Sequence, residues 1–185
     1  EELGEPAAAA HALGNIGIVY MSTGDYPKAL EHYHQALRLH EEGGDRGGAA
    51  NVLSNIGVGY MNIGDHSQAL EHLQRGLQMH EDVGNKAGAA TVTGSLGNVY
   101  QKTGDLSRAL EYLQHARQMQ EEMGNRAGAA IVMGNMTAAL LRMNRVEEAE
   151  ALLKEQSAMV LDRPAARAEF HTNSARVAGH KGDKD

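Results

Sequence analysis

The dipeptide Gly-Asp recurs at residues 24–25, 64–65 and 104–105, and Asn144-Arg145 falls on the next beat of forty. Tyr20, Tyr60 and Tyr100 keep the same phase, followed by Leu140, while Ala29, Ala69, Ala109 and Ala149 keep it throughout. Self-similarity at a fixed period of this length marks an array of small supersecondary units, none large enough to bury a core alone. It decides the kind of fold before any composition is counted.

Each copy divides into two helices. Leu53, Ile56, Gly57 and Tyr60 stand at i, i+3, i+4 and i+7, which predicts one apolar face of a helix over residues 46–62. Gly64 ends it, Asp65 N-caps the next helix, and Gln68 completes a capping-box pattern. Leu70, Leu73, Leu77 and Met79 supply the second helix's apolar stripe, which runs to about Val83 before the Gly84-Asn85 stop. Gly17, Gly57 and Gly97 lie on the apolar face, where Gly costs about 1 kcal/mol of helix propensity relative to Ala. Close approach of two helix backbones, with Ala29, Ala69 and Ala109 opposite, is the expected compensation. The phrases "EEGGDRGGAA", "EDVGNKAGAA" and "EEMGNRAGAA" are the joints between copies. Residues 1–10, "EELGEPAAAA", enter that phrase midway, so the sequence predicts residues 1–5 to be the tail of a preceding helix in a longer array. Repeats follow at 6–45, 46–85, 86–125 and 126–163, then a capping helix over 164–178, after Pro164, and a tail at 179–185.

Composition agrees and excludes several functions. Phe occurs once and Trp not at all among 185 residues, and Cys is absent, so disulfides, thiolate metal sites and a Cys nucleophile are ruled out. The lack of Cys fits a reducing compartment and a cytoplasmic location. No apolar stretch approaches the ~20 residues of a membrane span. A formal charge of −7 argues against nucleic-acid binding, which needs clustered Lys and Arg.

The signature Leu13, Ile16-Gly17, Tyr20, Gly24-Asp25, Ala29, Tyr33 and Ala36 resembles the tetratricopeptide (TPR) repeat, and the next two copies meet it with Leu73 and Leu113 for the aromatic, Gly76 for Ala36 and Thr93 for Leu13. The fourth departs, with Thr137 for Gly, Leu140 for Tyr and Gln156 for Ala, which predicts a looser helix pair. The usual TPR unit has about 34 residues; forty resembles the longer class of Pins-type scaffolds and bacterial TPR regulators. The resemblance implies an all-α, right-handed superhelix, or α-solenoid, of antiparallel helix pairs, acting as a protein-interaction module, as a scaffold or as the sensory part of a larger protein.

Function in such arrays sits on the surface opposite the core stripe of the first helix of each pair. That surface carries Asn15, Ile18 and Met21 in the first copy and Asn51, Asn55, Val58, Met61 and Asn62 in the second. The third contributes Ser95, Asn98, Gln101 and Lys102, and the fourth Asn135 and Arg142 beside Ile131, Ala138 and Leu141. Asn15, Asn55 and Asn135 share one column, broken by Ser95. An amide both donates and accepts, as a peptide bond does, so this column predicts a groove that grips a peptide backbone, with Lys102 and Arg142 favouring an acidic segment. TPR proteins that bind extended peptides often have Asn here, which is what the resemblance implies. The alternatives are Asn residues that only bond neighbouring repeats, a self-assembling array, or a regulatory region fused to a signalling enzyme.

No cofactor motif, metal-binding pattern or catalytic constellation appears. His32 and His34 point in different directions, and His32/His72 and His40/His80 stand one repeat apart, so the ten histidines are expected to be solvated rather than metal ligands. Glu41-Glu42, Glu81-Asp82 and Glu121-Glu122 are expected to pair with Arg46, Lys86 and Arg126 across the joints. The sequence reads as a non-enzyme.

Overall fold

The computed structural model describes residues 4–160, and over them the chain is all-helical. The helices are α1 (Glu5–Thr23), α2 (Tyr26–Glu42), α3 (Arg46–Ile63), α4 (His66–Asp82), α5 (Lys86–Thr103), α6 (Leu106–Glu122), α7 (Arg126–Arg142) and α8 (Val146–Val160). They pair as predicted, though α1 begins one residue before the predicted boundary. The capping helix at 164–178, the tail at 179–185 and most of the segment 1–5 lie outside the described residues. Two compact units are distinguished, Glu1–Ser95 and Leu96–Asp185, the division falling within α5.

In the first unit the turns follow local chemistry. Gly64 adopts φ +88°, a left-handed conformation that closes α3. The Asp65 N–H donates to the Tyr60 carbonyl at 3.0 Å, and its carboxylate accepts from the Gln68 N–H at 3.0 Å. The reciprocal half of the capping box does not form. The Asp65 N–H is already bonded, and Gln68 Nε2 turns instead to Glu71 at 3.5 Å. Leu53, Ile56 and Leu73 are completely buried. A Cβ added at Gly57 would stand 2.5 Å from Leu73 Cγ and 3.2 Å from the Ala69 carbonyl oxygen. The glycine therefore receives the Leu73 side chain, with the backbone at Ala69 behind it, rather than the Ala69 methyl.

Ile16 departs from its expected core position: it is 42% exposed, against 0% for Ile56. Ile56 belongs to the cluster that α2 and α3 share; α1 has no preceding helix on the equivalent flank among the described residues. The ion pairs also differ from expectation. Arg46 bonds Asp82 at 2.6 Å and Arg75 meets Glu41 at 3.6 Å. The start of α3 lies beside the end of its antiparallel partner α4, so the pairing skips the joint. Neither Lys86 nor Arg126 forms an ion pair among the described residues. Exposed pairs of this kind contribute about 0–1 kcal/mol.

The largest correction concerns histidine. His40, His72 and His80 are buried rather than solvated, with 4%, 7% and 1% exposure. His40 and His80 reach from the last turn of one helix to the N-cap of the next. His40 Nδ1 lies 2.8 Å from the Asp45 carboxylate, out of line for a good hydrogen bond, and His80 Nδ1 meets Asn85 Nδ2 at 3.1 Å. In the second unit Gln120 takes this position and Asn125 Nδ2 donates to its Oε1 at 2.7 Å. His72 stacks on Tyr60, and His34 packs edge-on against both rings.

Burial disfavours the imidazolium at His34, His72 and His80 and holds each below its ordinary pKa. Arg38 adds to the effect at His34; His34 and Arg75 add to it at His72, where Glu71 opposes it. The unfolded chain then binds protons first, near pH 6.5, so this stability is fully present above that value and falls as pH drops through it toward the depressed native pKa values. Melting at pH 7.5 and 5.5 is expected to show the loss. His80→Gln, copying Gln120, should keep the tie to Asn85 and reduce the pH slope. An unchanged slope would remove His80 from the account.

In the second unit Leu96, Leu113, Ala116 and Met133 are completely buried, and Leu113 packs on Gly97 as Leu73 does on Gly57. Asn144, at φ 58°, replaces the stop glycine. The predicted looseness between α7 and α8 is found in part: they meet over fewer residues than α1 and α2 or α3 and α4, and the buried Gln156 Oε1 has no partner among the described residues, although each polar newcomer makes one bond. Thr137 Oγ1 donates to the Met133 carbonyl at 2.9 Å, and Gln156 Nε2 donates to the Ala130 carbonyl at 2.7 Å.

Candidate ligand-facing surface

The stripe that buries Leu53, Ile56 and Gly57 turns Asn55, Val58, Met61 and Asn62 of α3 away from α4. All four are half-buried or exposed, as is Asn51. On α1, Asn15 and Ile18 are exposed, Ile18 by 52%, and Met21 is half-buried. Among the described residues the amides of Asn15, Asn51, Asn55 and Asn62 form no hydrogen bond. Met21 and Tyr60 pack beside the apolar cluster of α2 and α3, so part of this surface rests on a rigid base. Ser95, near the end of the unit, spends its hydroxyl on the Thr91 carbonyl of its own helix at 3.1 Å.

In the second unit Asn98 and Asn135 are half-buried and Lys102 and Arg142 exposed. Two predicted ligand contacts have internal duties instead. Gln101 Nε2 donates to the Asn135 backbone carbonyl at 2.7 Å, and Arg142 donates to the Gln101 carbonyl at 2.5 Å. Each long side chain crosses between α5 and α7 to a carbonyl that sequence spacing does not reveal. Arg142 stays exposed and Lys102 unpaired among the described residues, so the surface keeps a basic edge. The side chains of Asn98 and Asn135 have no hydrogen-bond partner there. Ile131 is 54% exposed, while Leu141, expected on this face, is 5% exposed and belongs to the core.

Among the described residues no group of three His, Asp or Glu side chains is arranged to hold a metal ion. No described helix is long and apolar enough to cross a membrane.

Antiparallel helix pairs at a forty-residue period, with Asn15, Asn55 and Asn135 unbonded among the described residues on the first helices of three of the pairs, define an α-solenoid protein of the interaction-module class. The chain belongs to the tetratricopeptide repeat family, whose profile matches residues 8–82 and 84–160. Among curated proteins no sequence matches it. Solved structures share the fold at low identity. Aspartyl phosphate phosphatase F from Bacillus subtilis superposes with a TM-score of 0.86 at 12% identity, over 96% of this chain and 50% of its own. This chain thus spans half the length of that relative. A Podosopora anserina putative kinesin light chain with nearly identical TPR-like repeats gives 0.79 at 16%, over 98% and 90% of the two chains. A Rap protein complexed with Competence and Sporulation Factor gives 0.79 at 16%, over 91% and 45%.

Proposed function

We propose that this chain is a non-catalytic, cytoplasmic scaffold or sensory module that captures a peptide segment on the first-helix faces of its repeats. One observation carries the reading: the amides of Asn15, Asn55, Asn98 and Asn135 reach solvent without hydrogen-bond partners among the described residues. An Asn that only tied repeats together would spend its amide on the neighbouring backbone, as Gln101 does. Within the first unit Asn15 and Asn55 present donors and acceptors to a backbone, with Ile18, Val58 and Met61 offering apolar contact. Within the second, Asn98 and Asn135 do the same, and Lys102 and Arg142 favour an acidic segment. The similar fold of the Rap protein complexed with Competence and Sporulation Factor supports a ligand-binding role.

Selection from a displayed peptide library, followed by fluorescence anisotropy on a selected sequence, tests this. One hydrogen bond contributes about 0.5–1.5 kcal/mol. Asn55→Ala or Asn135→Ala should therefore weaken binding several-fold with melting unchanged, and N-methylation of the contacted peptide bond should weaken it similarly. Equal affinity for the parent and both variants would overturn the assignment.

A second reading rests on α1. Val19 is 60% exposed and Ile16 lies beside it, whereas the repeat-equivalent Val99 and Ala139 are completely buried. This apolar flank favours self-association. Sedimentation equilibrium should then show mass rising with concentration for the parent but not for Val19→Glu, and a concentration-independent monomer would remove this reading.

A further inference from the structure

The second unit holds a pocket of about 290 Å³ between α6 and α8, floored by Met136 and Leu140 of α7. Its origin is visible by comparison with the residues eighty positions earlier, in the first unit. There Tyr60 stacks on His72, with ring centres 5.4 Å apart, and its hydroxyl meets His34 Nε2 at 3.5 Å. Tyr20 stacks likewise on His32, and Tyr100 on Tyr112. In the fourth repeat both rings are missing: Leu140 stands for Tyr60 and Leu152 for His72. The rim is opened as well, since Ala151 occupies a column that is Glu at residues 31, 71 and 111. Three departures from the repeat thus converge on one space. Gln114, at the place of His34, lines it with an amide.

The rim's charges are satisfied. Arg145 makes two bonds to Glu148, at 2.5 and 2.6 Å, and Glu155 is paired with Arg117. The pocket therefore complements a neutral guest with an apolar body and one polar tip. Its volume, at the low end for ligand sites, suits one side chain.

We propose that this pocket receives a tyrosine side chain presented by a partner segment, the ring resting on Leu140, Met136 and Leu152 and the phenol bonding Gln114 as Tyr60 bonds His34. The site is separate from the Asn column and independent of its reading.

The test uses the full chain with ¹³C-methyl methionine, following Met136 by NMR while titrating N-acetyl-tyrosine amide, with the phenylalanine and leucine amides as comparators. A saturating shift is expected with the tyrosine probe and a weaker one with phenylalanine; Gln114→Leu should erase that preference. Leu140→Tyr, which restores the repeat's own ring, and Ala151→Glu, which restores its rim, should each weaken binding at least tenfold. Ala151 is exposed on α8, so the second variant keeps the test sound if the first disturbs folding. Several outcomes would overturn the proposal: no saturation, equal binding of the leucine probe, or no effect of Ala151→Glu together with Leu140→Tyr. Binding that emerges only after Phe170→Ala, at the chain's one phenylalanine within the segment 164–178 that the sequence predicts to be a capping helix, would make the chain its own occupant and overturn it too.

Discussion

Leu73→Ala is expected to lower the free energy of unfolding by about 2–5 kcal/mol, the range for deleting a fully buried leucine side chain where the surroundings close only partly. Leu73 has no exposed surface, and its branch point sits in the recess left by Gly57. The site has little means to collapse, because the facing wall is helix backbone rather than a movable side chain. A helix pair in this array draws its stability from contacts with its neighbours, so the loss should loosen α3 and α4 together. Urea unfolding followed by far-ultraviolet circular dichroism measures the change. A loss below about 1 kcal/mol would mean that Leu73 packs less rigidly than the Gly57 recess implies.

What was legible in the sequence was local. Gly64 and Asp65 announce a turn because one residue must adopt positive φ and the next must cap the helix, and both do so. The Asn column was legible for the same reason: a residue's face follows from its position on a regular helix. The buried histidines were not. Their burial depends on Gly48 and Gly88, where an added Cβ would come within 2.3 and 2.4 Å of His40 and His80 Nδ1. A signal was present, since His40, His80 and Gln120 stand eight residues before Gly48, Gly88 and Gly128, with a capping Asp or Asn between. The glycine is unchanged in all three copies and the residue eight before it always carries a long hydrogen-bonding side chain, which solvated residues have no reason to do. Gln101 and Arg142 escaped for a different reason. A long flexible side chain has many reachable partners, and only the packed structure selects the Asn135 and Gln101 carbonyls.

Gly57→Ala is expected to destabilise by about 1–3 kcal/mol, the cost of forcing an extra group into a filled core. Helix propensity alone predicts the opposite, a gain of about 1 kcal/mol. Packing wins because the new methyl would meet Leu73 Cγ at 2.5 Å and the Ala69 carbonyl at 3.2 Å. The two contacts make separable predictions. If the leucine dominates, Gly57→Ala in a Leu73→Ala background should be neutral or stabilising, with a coupling of about 1–3 kcal/mol between the sites. If the Ala69 backbone dominates, the cost should persist in both backgrounds. The fourth repeat shows that this position is not closed to a larger residue. It carries Thr137 at this position, completely buried beside α8, with its hydroxyl bonded to its own helix. The residue at the place of Leu73 there is again a leucine, Leu153. A helix pair of this fold therefore accepts a branched residue opposite leucine where the two helices meet less closely, and the double variant decides which contact demands glycine at Gly57. Additive costs in the double variant would assign the demand to the approach of the backbones.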